Sequence, residues 1–351
     1  MKWGISTGTC AALAAKAAAL MLVQGESPEQ VDVLLPDDSR VTHRVTEIWC
    51  DGVKASATVI KDAGDDPDVT HGTPLIVTVQ RNRLNRVRFF AGSGVGTVTR
   101  AGLAIPPGEP AINPGPRKMI CAALNDVAAD GFDVTVSVPQ GLKLAPRTFN
   151  PRLGIEGGIS ILGTTGRVRP FSAPALRDAL KCSLDVAIAA GLTDLVLVPG
   201  NMGHKAAMMH FDVSEQQIVD VSNEWGYMLG LAEKYPLQHL LVLGHPGKLG
   251  KLAAGQWQTH SAQSTSAIPY IARLGQDLFP SQKVEVNTVE ELFMVQLQSP
   301  QREQLGGRLA EAILQRIVTT YTGLPKVTVA LINLKGGLLG RCGEDRKWRL
   351  K

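Results

Sequence analysis

The sequence predicts a chain of mixed class: a strand-rich α+β domain in the N-terminal part, then a three-layer α/β domain built on a mainly parallel sheet. Three observations predict it. With 351 residues, 44% of them hydrophobic and 19% charged, the chain is long enough for two ordinarily cored domains. Before residue 150 the strand-like runs are short and alternate between apolar and polar positions, as in sheets with one covered face. After it, continuous apolar runs such as Leu195 to Val198 and Leu240 to Leu243 alternate with helical periods, as in parallel strands covered on both faces. The boundary is expected near Asn150, giving domains 1–150 and 151–351.

The elements follow in order. Ser6-Thr7-Gly8-Thr9 supplies hydroxyl caps for an alanine-rich helix from Cys10 to Gln24, and Gly25 ends it. Its first turn reads equally as an ordinary N-cap or as an anion site. Val31 to Leu35 and Val41 to Ile48, joined by Pro-Asp-Asp-Ser, read as a hairpin. Ala55 to Ile60 and Leu75 to Val79 are strands bracketing Lys61 to Gly72. Pro116 to Ala129 is a helix and Val134 to Val138 a strand. In the second domain, strands are expected at Ile159 to Leu162, Leu195 to Val198, Ile218 to Val221, Leu240 to Leu243 and Val327 to Leu334. The helices between them are expected at Pro174 to Ala190, after Pro199 to His204, at Asn223 to Lys234, Leu249 to Ala254, Val289 to Gln298 and Arg302 to Tyr321.

Composition excludes several classes. The net charge of +4 is mild and only 5% of residues are aromatic, with no basic run interleaved with aromatics, so no nucleic-acid partner is expected. The longest apolar stretch, Cys10 to Val23, contains Lys16 and falls short of the roughly 18 residues of a membrane span, so no membrane partner is expected. The N-terminus lacks a signal-peptide cleavage pattern, which points to the cytoplasm. Five scattered cysteines without a Cys-x-x-Cys pair fit reduced thiols, and no His or Cys spacing supports a protein-bound metal.

The densest ionisable cluster is Lys61 to Gly72, with Asp62, Asp65, Asp66, Asp68 and His71 in a stretch broken by Gly64 and Pro67. It should be a loop, and two readings stand: solvated turns in which Asp bonds its own backbone, or carboxylates and an imidazole placed for proton transfer or for orienting a cation. Gly92-Ser93-Gly94-Val95-Gly96 follows a strand but opens no helix, because Pro106, Pro107, Pro110 and Pro114 come soon after. It therefore fails as a dinucleotide fingerprint and reads as either a glycine turn or a close-approach loop with Thr97, Thr99 and Arg100 as donors. Gly163 to Gly166, Pro199 to Gly203 and Gly244 to Lys248 are expected at the carboxyl edge of the second sheet, where α/β folds bind ligands. None has Walker A spacing.

Across nearly the whole chain, blocks in fixed order resemble the CbiD family. They include Ser6-Thr7-Gly8-Thr9-Cys10, Lys61 to Gly72, Gly94-Val95-Gly96-Thr97, Thr148-Phe149-Asn150-Pro151-Arg152, Gly158 to Gly166, Pro199-Gly200-Asn201, Gly226-Tyr227-Met228, Gly244-His245-Pro246-Gly247-Lys248 and Thr259-His260-Ser261. Ser261 is followed by Ala262-Gln263-Ser264-Thr265, where the family typically has a basic or His residue and then Ala-Asp-Ala. The resemblance implies transfer of a methyl group from S-adenosylmethionine to ring carbon 1 of cobalt-precorrin-5B in anaerobic cobalamin biosynthesis, with cobalt present only as part of the substrate. It also implies the two-domain fold.

On that basis Asp62, Asp65, Asp66 and His71 are the expected catalytic groups, and Gly163, Thr164, Thr165, Gly166, Gly200, Asn201, Gly244, His245 and Gly247 the expected S-adenosylmethionine contacts. Thr7, Thr9, Thr97, Thr99, Arg100, Arg117, Arg152 and Lys248 are expected to meet the tetrapyrrole and its carboxylates. A homo-oligomer is open. Two other readings are a non-enzymatic tetrapyrrole carrier and a nucleotide-dependent phosphotransferase using Gly92 to Thr99 as a phosphate cradle.

Overall fold

The structure, a computed structural model, describes residues 2–170, 172–279, 286–344 and 347–351. The chain divides into two compact units, residues 1–176 and 177–351.

In the first unit, β1 (Gly4–Ile5) leads into α1 (Thr7–Gln24). Ser6 Oγ accepts the Thr9 amide at 3.1 Å and Gly25, at φ 74°, closes the helix in the left-handed conformation that glycine tolerates. Alanines from Ala11 to Ala19 are buried on every side, so α1 lies close to its neighbours. By length and composition α1 could cross a membrane, yet 67% of it is buried inside the unit, the environment of a core helix.

β2 (Gln30–Leu34) and β3 (Arg40–Arg44) form the expected hairpin, but the run expected to continue to Ile48 breaks. The break falls where Thr46 turns its amide and hydroxyl to Thr58 O, and β4 (Glu47–Cys50) joins another sheet. That sheet contains β5 (Lys54–Ile60), β6 (Pro74–Asn82) and β7 (Arg88–Ala91). Next come β8 (Gly94–Val95), β9 (Thr97–Val98), α2 (Pro114–Asn125), β10 (Gly131–Ser137) and α3 (Gly141–Leu144). The sheet order is β4-β5-β6-β10-β7. Ala55, Ala57, Val59, Leu75, Val77, Val79, Val134 and Val136 form its buried face in one core with α1 and α2, and alternate residues such as Ser56 and Thr78 are half-buried.

Residues 151–170 complete this unit rather than opening the second one as expected. β11 (Ile155–Glu156) pairs with β9, β12 (Gly158–Ile159) with β8, and β13 (Arg167–Val168) with β1. The physical reason is burial: Ile159 and Ile161 are 2% and 0% exposed in the core shared with α1. The glycines of the Gly92 to Gly96 turn serve the same packing. A side chain at Gly94 would overlap the Val138 carbonyl, and one at Gly96 would strike Ile155, so the close approach there is by protein.

α4 (Ala173–Ala189) runs across the division into the second unit. There follow β14 (Asp194–Val198), α5 (Asn201–His210), β15 (Ile218–Asp220), α6 (Trp225–Ala232), β16 (His239–Gly244) and α7 (Pro246–Ala253). The chain continues with α8 (Ile268–Leu274), α9 (Val289–Met294), α10 (Ser299–Thr320), β17 (Lys326–Ile332) and β18 (Leu338–Gly343). The sheet order is β15-β14-β16-β17-β18, parallel except for β18. Its central strands β14 and β16 are buried at every position after the first, as continuous apolar runs require.

β18 has no counterpart among the sequence expectations. Its Leu-Leu-Gly-Arg-Cys-Gly run carries little strand signal, and it is held by backbone contact: a side chain at Gly306 of α10 would overlap Leu339, and one at Gly340 would overlap Gly306. Gly306→Val should therefore lower stability by about 3 kcal/mol, near the top of the overpacking range, because backbone cannot move aside as a side chain can. Gly307 next to it faces open space, and Gly307→Ala should raise stability by up to about 1 kcal/mol through helix propensity. Urea midpoints of the two variants check this, and shifts of the same sign would contradict it.

Candidate active site

The Lys61 to Gly72 loop is a closed and well-braced connection between β5 and β6. Lys61 N donates to Thr73 O (3.0 Å) and Gly72 N to Lys61 O (2.8 Å), while Ile5 N reaches Asp62 O (2.8 Å) and Asp65 N reaches Lys2 O (3.0 Å). The Lys61 side chain is fully buried, and its ammonium donates to Asp68 Oδ2 at 2.5 Å. Asp68 Oδ1 accepts the Thr70 amide (2.8 Å) and hydroxyl (2.7 Å). Burial alone would raise the Asp68 carboxyl, but Lys61 and Thr70 carry it below the ordinary carboxylate value. Asp62 accepts Lys2 Nζ (2.7 Å) and the Gly64 amide (2.8 Å) and is also lowered. Asp65 accepts the Lys2 amide (2.7 Å).

His71 Nδ1 accepts the Ala63 amide at 3.0 Å, which leaves Nε2 to carry the proton on an exposed ring. Asp66 differs from its neighbours. Its carboxylate is half-buried, takes no side-chain hydrogen bond or ion pair among the described residues, and is raised by burial and by the nearby Asp68. Asp62 and Asp68 thus form Asx turns, and Asp66 is the loop carboxylate without a side-chain partner among the described residues.

At the carboxyl edge of the second sheet the strand order reverses, since the chain leaves β14 toward β15 on one side and β16 stands on the other; such a reversal is where doubly wound folds bind ligands. Gly200, at φ 117°, follows β14, and a Cβ built on it meets nothing within 4 Å. Asn201 opens α5. On β16, Gly244 packs tightly, since a Cβ there would lie 3.1 Å from Pro199. His245 caps α7, with Nδ1 accepting the Gly247 amide and Nε2 paired to Glu290, both at 3.0 Å. Burial lowers the half-buried Lys248 below an ordinary lysine, and Asp220 opposes that shift.

Asp220 is the residue that sequence reasoning missed. It ends β15 twenty positions after Gly200, the spacing of about 20 at which an acidic residue meets ribose hydroxyls in doubly wound folds. Its Oδ1 accepts the Ser222 amide at 2.8 Å.

The remaining expected residues are held mainly by the protein itself. Gly163, Thr164, Thr165 and Gly166 lie in the first unit, not on the edge of the parallel sheet. Thr9 Oγ1 donates to Gly166 O (2.6 Å), Gly8 N to Leu162 O (2.8 Å) and Ser6 N to Gly166 O (2.9 Å), so this loop caps α1 and fills its anion-binding turn. Thr9 is fully buried, and Thr7 Oγ1 accepts the Leu162 amide at 2.8 Å. Thr97 pairs with Glu156, Thr99 Oγ1 donates to Gly154 O (2.9 Å), and Arg100 packs on Gly154 while donating to Arg152 O (3.3 Å). Arg117 donates to Ile112 O, Pro110 O and Glu109 and stacks on Phe89, and Arg152 itself is exposed. Among the described residues no group of three or more His, Cys, Asp or Glu side chains is arranged to hold a metal ion.

Comparison with known proteins gives one family. The CbiD family model matches residues 1–170. The chain is 47% identical to the cobalt-precorrin-5B C(1)-methyltransferase of Syntrophotalea carbinolica, over 99% of both chains. It is 41% identical to the enzyme of that name from Moorella thermoacetica, covering 97% of this chain and 95% of the other. A crystal structure of a cobalamin biosynthesis protein (cbiD) from Archaeoglobus fulgidus is 28% identical, covers 78% of this chain and 84% of its own, and superposes with a TM-score of 0.41.

Proposed function

From a chain that belongs to the CbiD family, we propose a methyltransferase that moves a methyl group from S-adenosylmethionine to carbon 1 of cobalt-precorrin-5B in the cytoplasm. The observation that carries this reading is identity of 47% over 99% of both chains with a protein of that name. In the reaction the ring carbon forms a bond to the methyl carbon, the S–CH3 bond breaks with its electron pair staying on sulfur, and the ring loses a proton. No covalent enzyme intermediate is needed, so the protein's work is to bind, orient, exclude water and take the proton.

We assign S-adenosylmethionine to the carboxyl edge of the second sheet, where the strand order reverses. Gly200 leaves room for close backbone approach, and Asp220 stands at the strand end suited to ribose hydroxyls. Asn201 opens α5 after β14, and His245 and Gly247 stand at the start of α7 after β16, on the same edge of the sheet. When bound, that cofactor supplies a methyl group on a positively charged sulfonium. Asp220 Oδ1 also accepts the Ser222 amide at 2.8 Å, so the test is Asp220→Asn, which keeps an oxygen for that bond and should raise the cofactor's Kd about tenfold, roughly 1.4 kcal/mol; unaltered affinity would take Asp220 out of the site. Arg100 and Arg152 offer charge to the substrate's carboxylates. Asp66 is the proton acceptor, since the other three aspartates of its loop already hold structural partners.

Anaerobic incubation with cobalt-precorrin-5B and methyl-labelled S-adenosylmethionine tests the function. Label is expected in the pigment. Pigment bound without label would favour a carrier, and magnesium-dependent ATP binding would favour a phosphotransferase.

A further inference from the structure

Lys251 carries a charge that no described carboxylate of the second unit balances. Its side chain projects from α7 and is 8% exposed, and its ammonium donates to Thr259 O (3.1 Å) and Ser264 Oγ (2.9 Å). Ser264 gives its own proton to His260 O (2.7 Å), and Thr259 is held by Asn223 through backbone and side chain, so both acceptors are fixed neutral groups. Among the described residues Lys251 makes no ion pair. An ammonium withdrawn from water without a counter-charge is strongly unfavourable, and burial lowers its pKa accordingly. Lys248, one turn earlier on α7, is lowered by burial too, with Lys251 adding to the shift.

The ammonium belongs to the wall of a cavity of about 570 Å³, which Ser261, Ser264, Ser266, His245 and Glu290 also line. That volume lies within the range of about 300–1,000 Å³ typical of small-molecule sites. Glu290 is the one carboxylate among the lining residues, and it is already engaged by His245 Nε2 (3.0 Å) and the Leu334 amide (3.2 Å). The wall therefore holds one committed anion and one unmatched cation with hydroxyls around it. The segment responsible is the stretch after Ser261, where the chain reads Ala262-Gln263-Ser264-Thr265 and sets a hydroxyl, not a carboxylate, against Lys251.

We propose that this cavity receives a carboxylate of one of the two reactants, with Lys251 Nζ as its charge partner and the Ser261 and Ser266 hydroxyls as further donors. The choice of ligand rests on the methyltransferase reading. Two molecules supply that chemistry: the amino-acid end of S-adenosylmethionine, and the acetate and propionate arms of the tetrapyrrole.

Equilibrium binding to the full-length protein tests the proposal, using S-adenosylhomocysteine, methylthioadenosine (the same nucleoside without the amino-acid carboxylate) and cobalt-precorrin-5B. Lys251→Met removes the charge, and Ser264→Asp supplies an internal counter-ion while keeping the lysine. Both variants should weaken S-adenosylhomocysteine at least tenfold and leave methylthioadenosine unchanged if the carboxylate comes from the cofactor. They should instead weaken the pigment at least tenfold and spare S-adenosylhomocysteine if it comes from the tetrapyrrole. Without ligand, the melting temperature of Lys251→Met should rise, because a buried unpaired charge is gone. Two folded variants that bind all three probes like the wild type would overturn the proposal. Carboxylate-dependent binding without methyl transfer would remove the catalytic reading and leave the anion site standing, whereas transfer with binding insensitive to both variants would do the reverse. A wild type that binds neither S-adenosylhomocysteine nor the pigment would sink both.

Discussion

Asp66→Asn is expected to lower kcat for methyl transfer by about 10²- to 10⁴-fold, the contribution typical of a positioned proton acceptor. The loop offers four carboxylates, and geometry separates them. Asp62 is bound to Lys2 and the Gly64 amide, Asp65 to the Lys2 amide, and Asp68 to Lys61 and Thr70. Asp66 has no such partner, and burial and then Asp68 raise it above the ordinary carboxylate value, toward better basicity. Because the ionised form is the active one, kcat should climb as pH rises through this raised value, and the limb should vanish in Asp66→Asn. The sign of the stability effect separates this role from a structural one. A carboxyl raised in the folded state costs stability once ionised, so Asp66→Asn should melt at or above the wild-type temperature at neutral pH. Turnover unchanged in Asp66→Asn, or in the combined exchange of Asp65 and Asp66, would remove the loop from the chemistry.

Asp68→Ala should have the opposite profile, a stability loss of about 3–5 kcal/mol in the first unit, because it strands the Lys61 ammonium inside the protein. The Lys61 side chain is 0% exposed and Asp68 27%, so the orphaned charge cannot reach water without opening the loop. Removing both charges in Lys61→Met with Asp68→Ala should recover most of the loss, since an apolar pair needs no compensation. The pH dependence follows from the lowered Asp68 carboxyl. Its contribution is complete above the unfolded carboxylate value of about 3.9 and is lost as pH falls through the lower folded value. Urea unfolding of the single and double variants at neutral and acid pH checks this, and a double variant no more stable than Asp68→Ala would contradict it.

Much of this was legible in the sequence, and the failures have physical causes. The caps of α1, the hairpin, the loop between β5 and β6 and the parallel strands β14 and β16 stand close to where local patterning put them, since each depends on residues within a few positions. Pairings over long distances were not legible. Gly158 to Gly166 looked like a strand and ligand loop of the second domain, yet its partners are Gly94, Val95 and the first turn of α1, chosen by burial of Ile159 and Ile161. Threonines and arginines that looked like substrate contacts are partly braces: Thr9, Thr99 and Arg117 hold carbonyls of their own unit, and sequence cannot tell a donor aimed at a ligand from one aimed at backbone. The aspartate cluster was visible as a cluster, but only the hydrogen bonds single out Asp66.

The most direct test of the account is a single-turnover reaction with carbon-13 methyl S-adenosylmethionine under anaerobic conditions, with the methylated position read by NMR of the isolated pigment. One labelled methyl on carbon 1 is expected, formed by the wild type and slowed in Asp66→Asn. Label on another ring carbon, or folded protein that binds the pigment and transfers nothing while a relative does so under the same conditions, would contradict it.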